Sequence, residues 1–151
     1  MNLVSSLVGT LAALVSFSTV SLADHREHPQ EAIRATYNLA DAAEQLYFAA
    51  RNAGPRDEVG GGLTDDHREE SLWELAQQAQ NLHLSASRLY HALRDYRPNQ
   101  NIEWLISDVE NDYWQLERIW QDLSRYNLPW HVNSAWNRTA NSYQQFQYYV
   151  R

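Results

Sequence analysis

Four stretches of this chain carry apolar residues at alternating steps of three and four, and that spacing is the strongest constraint on its fold. The first stretch reads Ala32, Thr36, Leu39, Ala43, Leu46, Ala50, Ala53. The second reads Leu72, Leu75, Ala79, Leu82, Ala86, Leu89, Leu93, Tyr96. In the third the series is Ile102, Ile106, Val109, Tyr113, Leu116, Trp120, Leu123, and in the fourth Val132, Trp136, Thr139, Tyr143, Phe146, Val150. Steps of three and four keep one stripe of an α-helix turned toward a partner. No stretch sustains the strict alternation a half-buried strand requires, so the expected class is all-α.

Punctuation residues agree with these seams. Pro29 suits a first helical turn. Asp66 with Glu69 three residues on has the form of a capping box for the second helix. Pro98 stops that helix, Asn101 can cap the third, and Asn127 with Pro129 separates the third from the fourth. The expected helices span roughly 29–53, 66–97, 102–125 and 129–150. The last two connections are short, which favours antiparallel neighbours. The expected architecture is an antiparallel up-down-up-down four-helix bundle. Its core is uneven by composition, since the first seam is mostly Ala while the third and fourth carry Trp, Tyr and Phe.

Residues 1–23 contain no charged side chain, and the chain then turns polar at once with Asp24-His25-Arg26-Glu27-His28. Ser21 and Ala23 are small residues placed for a cut after Ala23. This is the build of a secretory signal peptide, although only the α-amino group supplies positive charge before the apolar stretch. The bundle domain is then 24–151, exported to a periplasm or secreted. The chain contains no Cys, so it draws nothing from an oxidising compartment, and this favours the periplasm. Once processed, it is not expected to be an integral membrane protein.

Composition removes several chemistries. All 12 basic residues are Arg, Cys is absent, and the single Met is Met1. There is no thiol nucleophile, no Schiff-base Lys, no attachment site for a c-type haem and no internal thioether ligand. With a net charge of -7 and no basic tract, nucleic acid is a poor partner. A dinuclear carboxylate bundle needs Glu three residues before His. The residues at that offset are Leu22, His25, Thr64, Gln80, Arg88 and Leu128. No nucleophile elbow, phosphate-cradling loop or zincin motif occurs. The expectation is a non-enzymatic protein with no cofactor.

Three features remain as candidates for function. Between Arg56 and Glu70 six acids face two Arg, and Gly60-Gly61-Gly62 makes the connection a flexible loop. Antiparallel topology places His67 and His131 at one end of the bundle, a weak candidate site for a transition metal. Trp73, Leu84, Trp104, Trp114 and Tyr148 fall outside the seams and are expected to point outward. Several exposed aromatics together mark a binding surface, so Leu84, Trp104, Trp114 and Tyr148 are the candidate partner-binding residues. The short 98–101 connection places Leu84 and Trp114 at one height, as an apolar spot ringed by Gln77, Gln80 and Gln121 for a partner helix or a second copy. Asp112 is expected to pair with an Arg of a neighbouring helix. His83 is expected at the core boundary, its ring partly packed.

The resulting expectation is an exported interaction module whose partner, a protein or small ligand, is unknown, with a homodimer also open. The alternative is a periplasmic carrier of a transition metal or small ligand, held by bundle-end His and carboxylates. N-terminal sequencing of the exported form should begin at Asp24 or within a residue or two. An intact Met1 on membrane-bound protein would overturn the export reading.

Overall fold

Pro29 opens the first helix with its ring at a position where a backbone N–H has no helical partner anyway. Glu31 in the first turn and Arg51 in the last complement the helix dipole. This helix, α1, spans Pro29–Asn52; α2 is Asp66–Arg94, α3 is Glu103–Leu123 and α4 is Trp130–Val150. The structure is a computed structural model that describes residues 29–53, 66–95 and 101–151. It is all-helical, a four-helix bundle, with no strand among the described residues. Residues 1–23, read above as an expected signal peptide, the connection 54–65, Tyr96 and the histidines His25 and His28 lie outside the described residues, as does the Asp66 side chain. Among the described residues no helix is long and apolar enough to cross a membrane.

Several boundaries differ slightly from expectation: α2 ends at Arg94 rather than near 97 and α3 at Leu123 rather than near 125, and the starts of α3 and α4 shift by one residue. Ile102, not Asn101, occupies the cap position of α3, with φ -107 and ψ -1. Asn101 still does the capping work from one residue further out, where its Oδ1 accepts the Glu103 N–H at 2.9 Å. Pro129 sits at the cap of α4 with φ -55 and ψ 143 rather than inside the helix. Its carbonyl accepts the N–H groups of Val132 at 3.0 Å and Asn133 at 3.2 Å, so the missing Pro donor costs nothing.

The seams read from spacing are the buried faces. Every seam residue of α4 is buried, and so are those of α1 up to Ala50 and those of α2 up to Leu89. In α3 only Trp120 is less than fully buried. Side-chain size then sets how the helices stand. On α1, Ala32, Ala35, Ala40, Ala42, Ala43 and Ala50 are buried. Methyl-sized side chains let backbones approach closely, and the Cα traces of α1 run within 8 Å of both α2 and α4. Polar side chains of the neighbours thereby reach α1's own carbonyls. His83 Nδ1 lies 3.0 Å from Ala40 O across the α1/α2 boundary. The carbonyl can only accept, so this bond places the proton on Nδ1. Thr139 Oγ1 lies 3.1 Å from Ala42 O and 3.0 Å from Ala135 O, and its one proton is shared between them.

The α3/α4 side is built the opposite way. These two backbones scarcely come within 8 Å of each other, and flat rings fill the space. Trp136 lies between Trp120, at 4.7 Å and 12°, and Tyr113, at 6.2 Å and 14°. Tyr143 stacks on Tyr113 at 3.5 Å and 8°, and Phe146 follows at 5.8 Å and 23°. Five rings thus form a nearly parallel column along the inner faces of the two helices. Ring quadrupoles favour offset over face-to-face stacking, so the Tyr pair is held by confinement between the helices more than by its own attraction.

Equilibrium denaturation should separate these two modes of packing. Trp136→Ala should cost about 3–5 kcal/mol, the range for truncating a buried large aromatic. Ala43→Leu should cost about 1–3 kcal/mol, because no room exists between α1 and its neighbours. Equal tolerance of Leu at position 43 and of Ala at position 136 would contradict this account.

Candidate functional site

The eight large hydrophobic side chains left exposed among the described residues are Tyr37, Phe48, Trp73, Leu84, Trp104, Trp114, Trp130 and Tyr148. All five residues expected to point outward are in this set. Trp114 is 55 % exposed and Leu84 45 %, so neither folds back to cover its own seam. Spacing places them there. Trp73 and Trp114 follow a seam residue by one position, and Leu84, Trp104 and Tyr148 by two. The same offsets hold for Tyr37 after Thr36 and Phe48 after Leu46, so both were legible and were missed. Trp130 precedes the first seam residue of α4, and no upstream member marks its phase.

Leu84 and Trp114 do not share the surroundings expected of them. Leu84 borders an open groove of about 260 Å³ between α2 and α3, lined also by Asn81, Ser85, Arg88, Asp108, Asn111 and Asp112; Trp114 is not among its lining residues. The register is set further along, where the nearly buried Gln78 donates from Nε2 to Asp112 O at 3.0 Å and lies 3.4 Å from Asp112 Oδ1. Gln78, rather than an Arg, is thus the neighbour that holds Asp112. Nothing in the heptad pattern distinguishes Gln78 from the exposed Gln77 and Gln80 beside it except its lean toward the α3 side of the seam. Arg88 lines the groove with Asp108 and Asp112, yet makes no ion pair with them.

The histidines are placed singly. His67 is exposed, and its carbonyl accepts the Ser71 hydroxyl at 2.8 Å. His131 is half-buried beside the edge of Trp130, with ring centroids 6.2 Å apart. His83 is engaged with Ala40 and half-buried, as expected of a boundary residue. His91 meets the edge of Tyr90 at 5.2 Å. Among the described residues no three His, Asp or Glu side chains converge in a way that would hold a metal ion.

Three titratable groups among the described residues depart from ordinary behaviour: the exposed Arg94, raised by its hydrogen bond to Asp95, and two phenols in the core. Burial, aided by Glu117, pushes the Tyr113 hydroxyl up to about 12. Burial, with Glu110 and Tyr113 adding to it, pushes Tyr143 up to about 12 as well. Both phenols are therefore neutral at physiological pH, and desolvation disfavours the phenolate each would need in order to act as a base.

The chain matches no protein-family model, no curated protein and no solved structure in comparisons with each.

A phenol whose pKa rises on folding binds its proton more tightly in the native state. The associated stability is complete below about pH 10 and is lost as pH climbs toward 12. Absorbance titration of tyrosinate should show two of the nine Tyr ionising late, together with unfolding. Nine groups titrating together near 10 in a still-helical protein would contradict the burial of this pair.

Proposed function

We propose that this chain is an exported, non-enzymatic helical-bundle module that binds a partner through its outer surface. Leu84, Trp104, Trp114 and Tyr148 supply contact area. One observation carries the reading: the buried core is built without Leu84, Trp104, Trp114 and Tyr148, which stand exposed and are not needed for folding. Trp and Tyr offer wide, stiff contact area at low entropic cost, which suits a binding surface. Export rests on residues 1–23 and points to a periplasm or the extracellular space.

The up-down-up-down arrangement belongs to the same proposal. Its support is the pairing of side chains between neighbouring helices. Between α1 and α2, Tyr37 meets Tyr90 and Ala40 meets His83. Between α3 and α4, Glu110 meets Arg151, Tyr113 meets Tyr143 and Trp120 meets Trp136. Numbers rise along one helix as they fall along the other.

The second reading is a small-ligand carrier. The α2/α3 groove favours it, because Arg88 and the carboxylates of Asp108 and Asp112 could engage a ligand bearing both charges. His67 and His131 at the bundle end gain no third ligand among the described residues, so the metal form of this reading has less support.

The test is the triple change Leu84→Ser, Trp104→Ser and Trp114→Ser, with affinity capture from an envelope extract and thermal unfolding read side by side. The interface reading expects capture to be lost while stability changes little, as is usual for exposed substitutions. A fall in stability of several kcal/mol would mean that these side chains are packed, and the reading would be dropped.

A further inference from the structure

The outer face of α4 differs in charge from the rest of the molecule. The chain has 19 acidic residues, yet Trp130–Val150 contains no Asp or Glu. Its one formal charge, Arg138, is spent on α1, where it donates to Gln45 Oε1 at 2.7 Å and to Asp41 Oδ2 at 3.1 Å. Besides Arg138, α4 exposes Ser134, Asn137, Asn141, Gln144, Gln145 and Gln147 between two aromatic ends, Trp130 and Tyr148, each 79 % exposed. By contrast, α1 exposes Glu31 and Glu44, α2 exposes Glu70 and Glu74, and α3 exposes Glu103 and Asp122.

We infer that this face is a self-association surface whose occupant is the α4 face of a second copy. Charge selects both the face and the partner. Two copies at -7 each repel, and α4 is the described helix through which they can touch without opposing carboxylates. Geometry permits a two-fold contact. Trp130 and Tyr148 are 18 residues apart, which at 3.6 residues per turn is five whole turns, so both rings leave the helix along one line. In an antiparallel pairing about a two-fold axis, Trp130 covers Tyr148 of the second copy at both ends. Asn137 then faces Asn141 of the second copy beside the axis. An amide carries both donors and an acceptor, so amide rows are self-complementary, as an isologous interface requires. The 21-residue helix offers a strip of roughly 31 Å by 10 Å. That is well under the roughly 800 Å² per partner of a standard interface, so the dimer is reversible and concentration-dependent. Of the proposed contact residues this inference uses Tyr148 alone, and it is independent of Leu84, Trp104 and Trp114 on α2 and α3.

Sedimentation equilibrium of the purified chain from micromolar to millimolar concentration tests it. A monomer–dimer equilibrium is expected. Asn137→Asp with Asn141→Asp, which places four carboxylates beside the axis, should weaken it about tenfold or more, since opposed like charges cost several kcal/mol. Trp130→Ser with Tyr148→Ser should also weaken it, and Trp73→Ser on α2 should leave it unchanged. Circular dichroism of each variant establishes that it is folded. Added salt should tighten the dimer by screening the net repulsion. A monomer throughout, a dimer indifferent to both α4 variants, or a dimer dissolved by salt would each overturn the inference. Loss of partner capture in the α2/α3 variant with dimerisation intact would separate the two surfaces.

Discussion

Side-chain size along α1 governs the rest of this bundle. Its buried face is mostly methyl groups, which contribute little area each, at roughly 25 cal/mol per Å² of apolar surface removed from water. Their value is distance. Because nothing larger intervenes, α2 and α4 come close enough for His83 and Thr139 to reach the carbonyls of Ala40 and Ala42. The α2 and α3 backbones also approach within 8 Å, and the α3/α4 side is the wide one. The rings of Tyr113, Trp120, Trp136, Tyr143 and Phe146 occupy that width. Small residues on one helix and large ones on two others are thus complementary parts of one packing arrangement.

Much of this was legible in the residues. Heptad spacing identified the buried stripe of all four helices, and the same phase put Trp104, Trp114 and Tyr148 outside. Pro29, Asn101 and Pro129 marked ends to within a residue or so. What spacing cannot carry is distance and register between helices. Leu84 and Trp114 were expected at one height, but the bond from Gln78 to Asp112 fixes a different register, and Leu84 meets polar neighbours instead. A connection of a few residues leaves freedom of about a turn, and one specific polar contact then decides. The ring column was equally hidden. Periodicity placed each aromatic on an inner face without saying that they would stack flat.

The outer surface divides into regions of distinct chemistry. On α2 and α3, aromatic side chains stand among charged and amide groups, and the groove beside Arg88 holds carboxylates that form no pair with it. On α4 the surface is amide and aromatic, without carboxylates, and its one Arg is paired with Asp41 of α1. Surfaces so unlike have no single occupant, since desolvating a carboxylate is costly without a cation to meet it, whereas an amide needs only another hydrogen-bonding group. The core takes no part in this division. Its titratable groups, Tyr113 and Tyr143, are held neutral by burial, and the bundle serves as a rigid support for what its exterior presents.

The flatness of the ring column has a mechanical consequence. The column's rings come alternately from α3 and α4 in the order Trp120, Trp136, Tyr113, Tyr143, so sliding one helix along the other would press ring faces together, as interleaved teeth resist slipping. The α3/α4 boundary therefore supplies indexing as well as cohesion. The axial position of α4 is indexed also at α1, by Thr139 against Ala42 and by Arg138 against Asp41 and Gln45, and at its far end by Arg151 on Glu110 of α3 at 2.6 Å. Alignment of this helix is thus set on both flanks, by interleaved rings and an ion pair toward α3 and by polar pins toward α1.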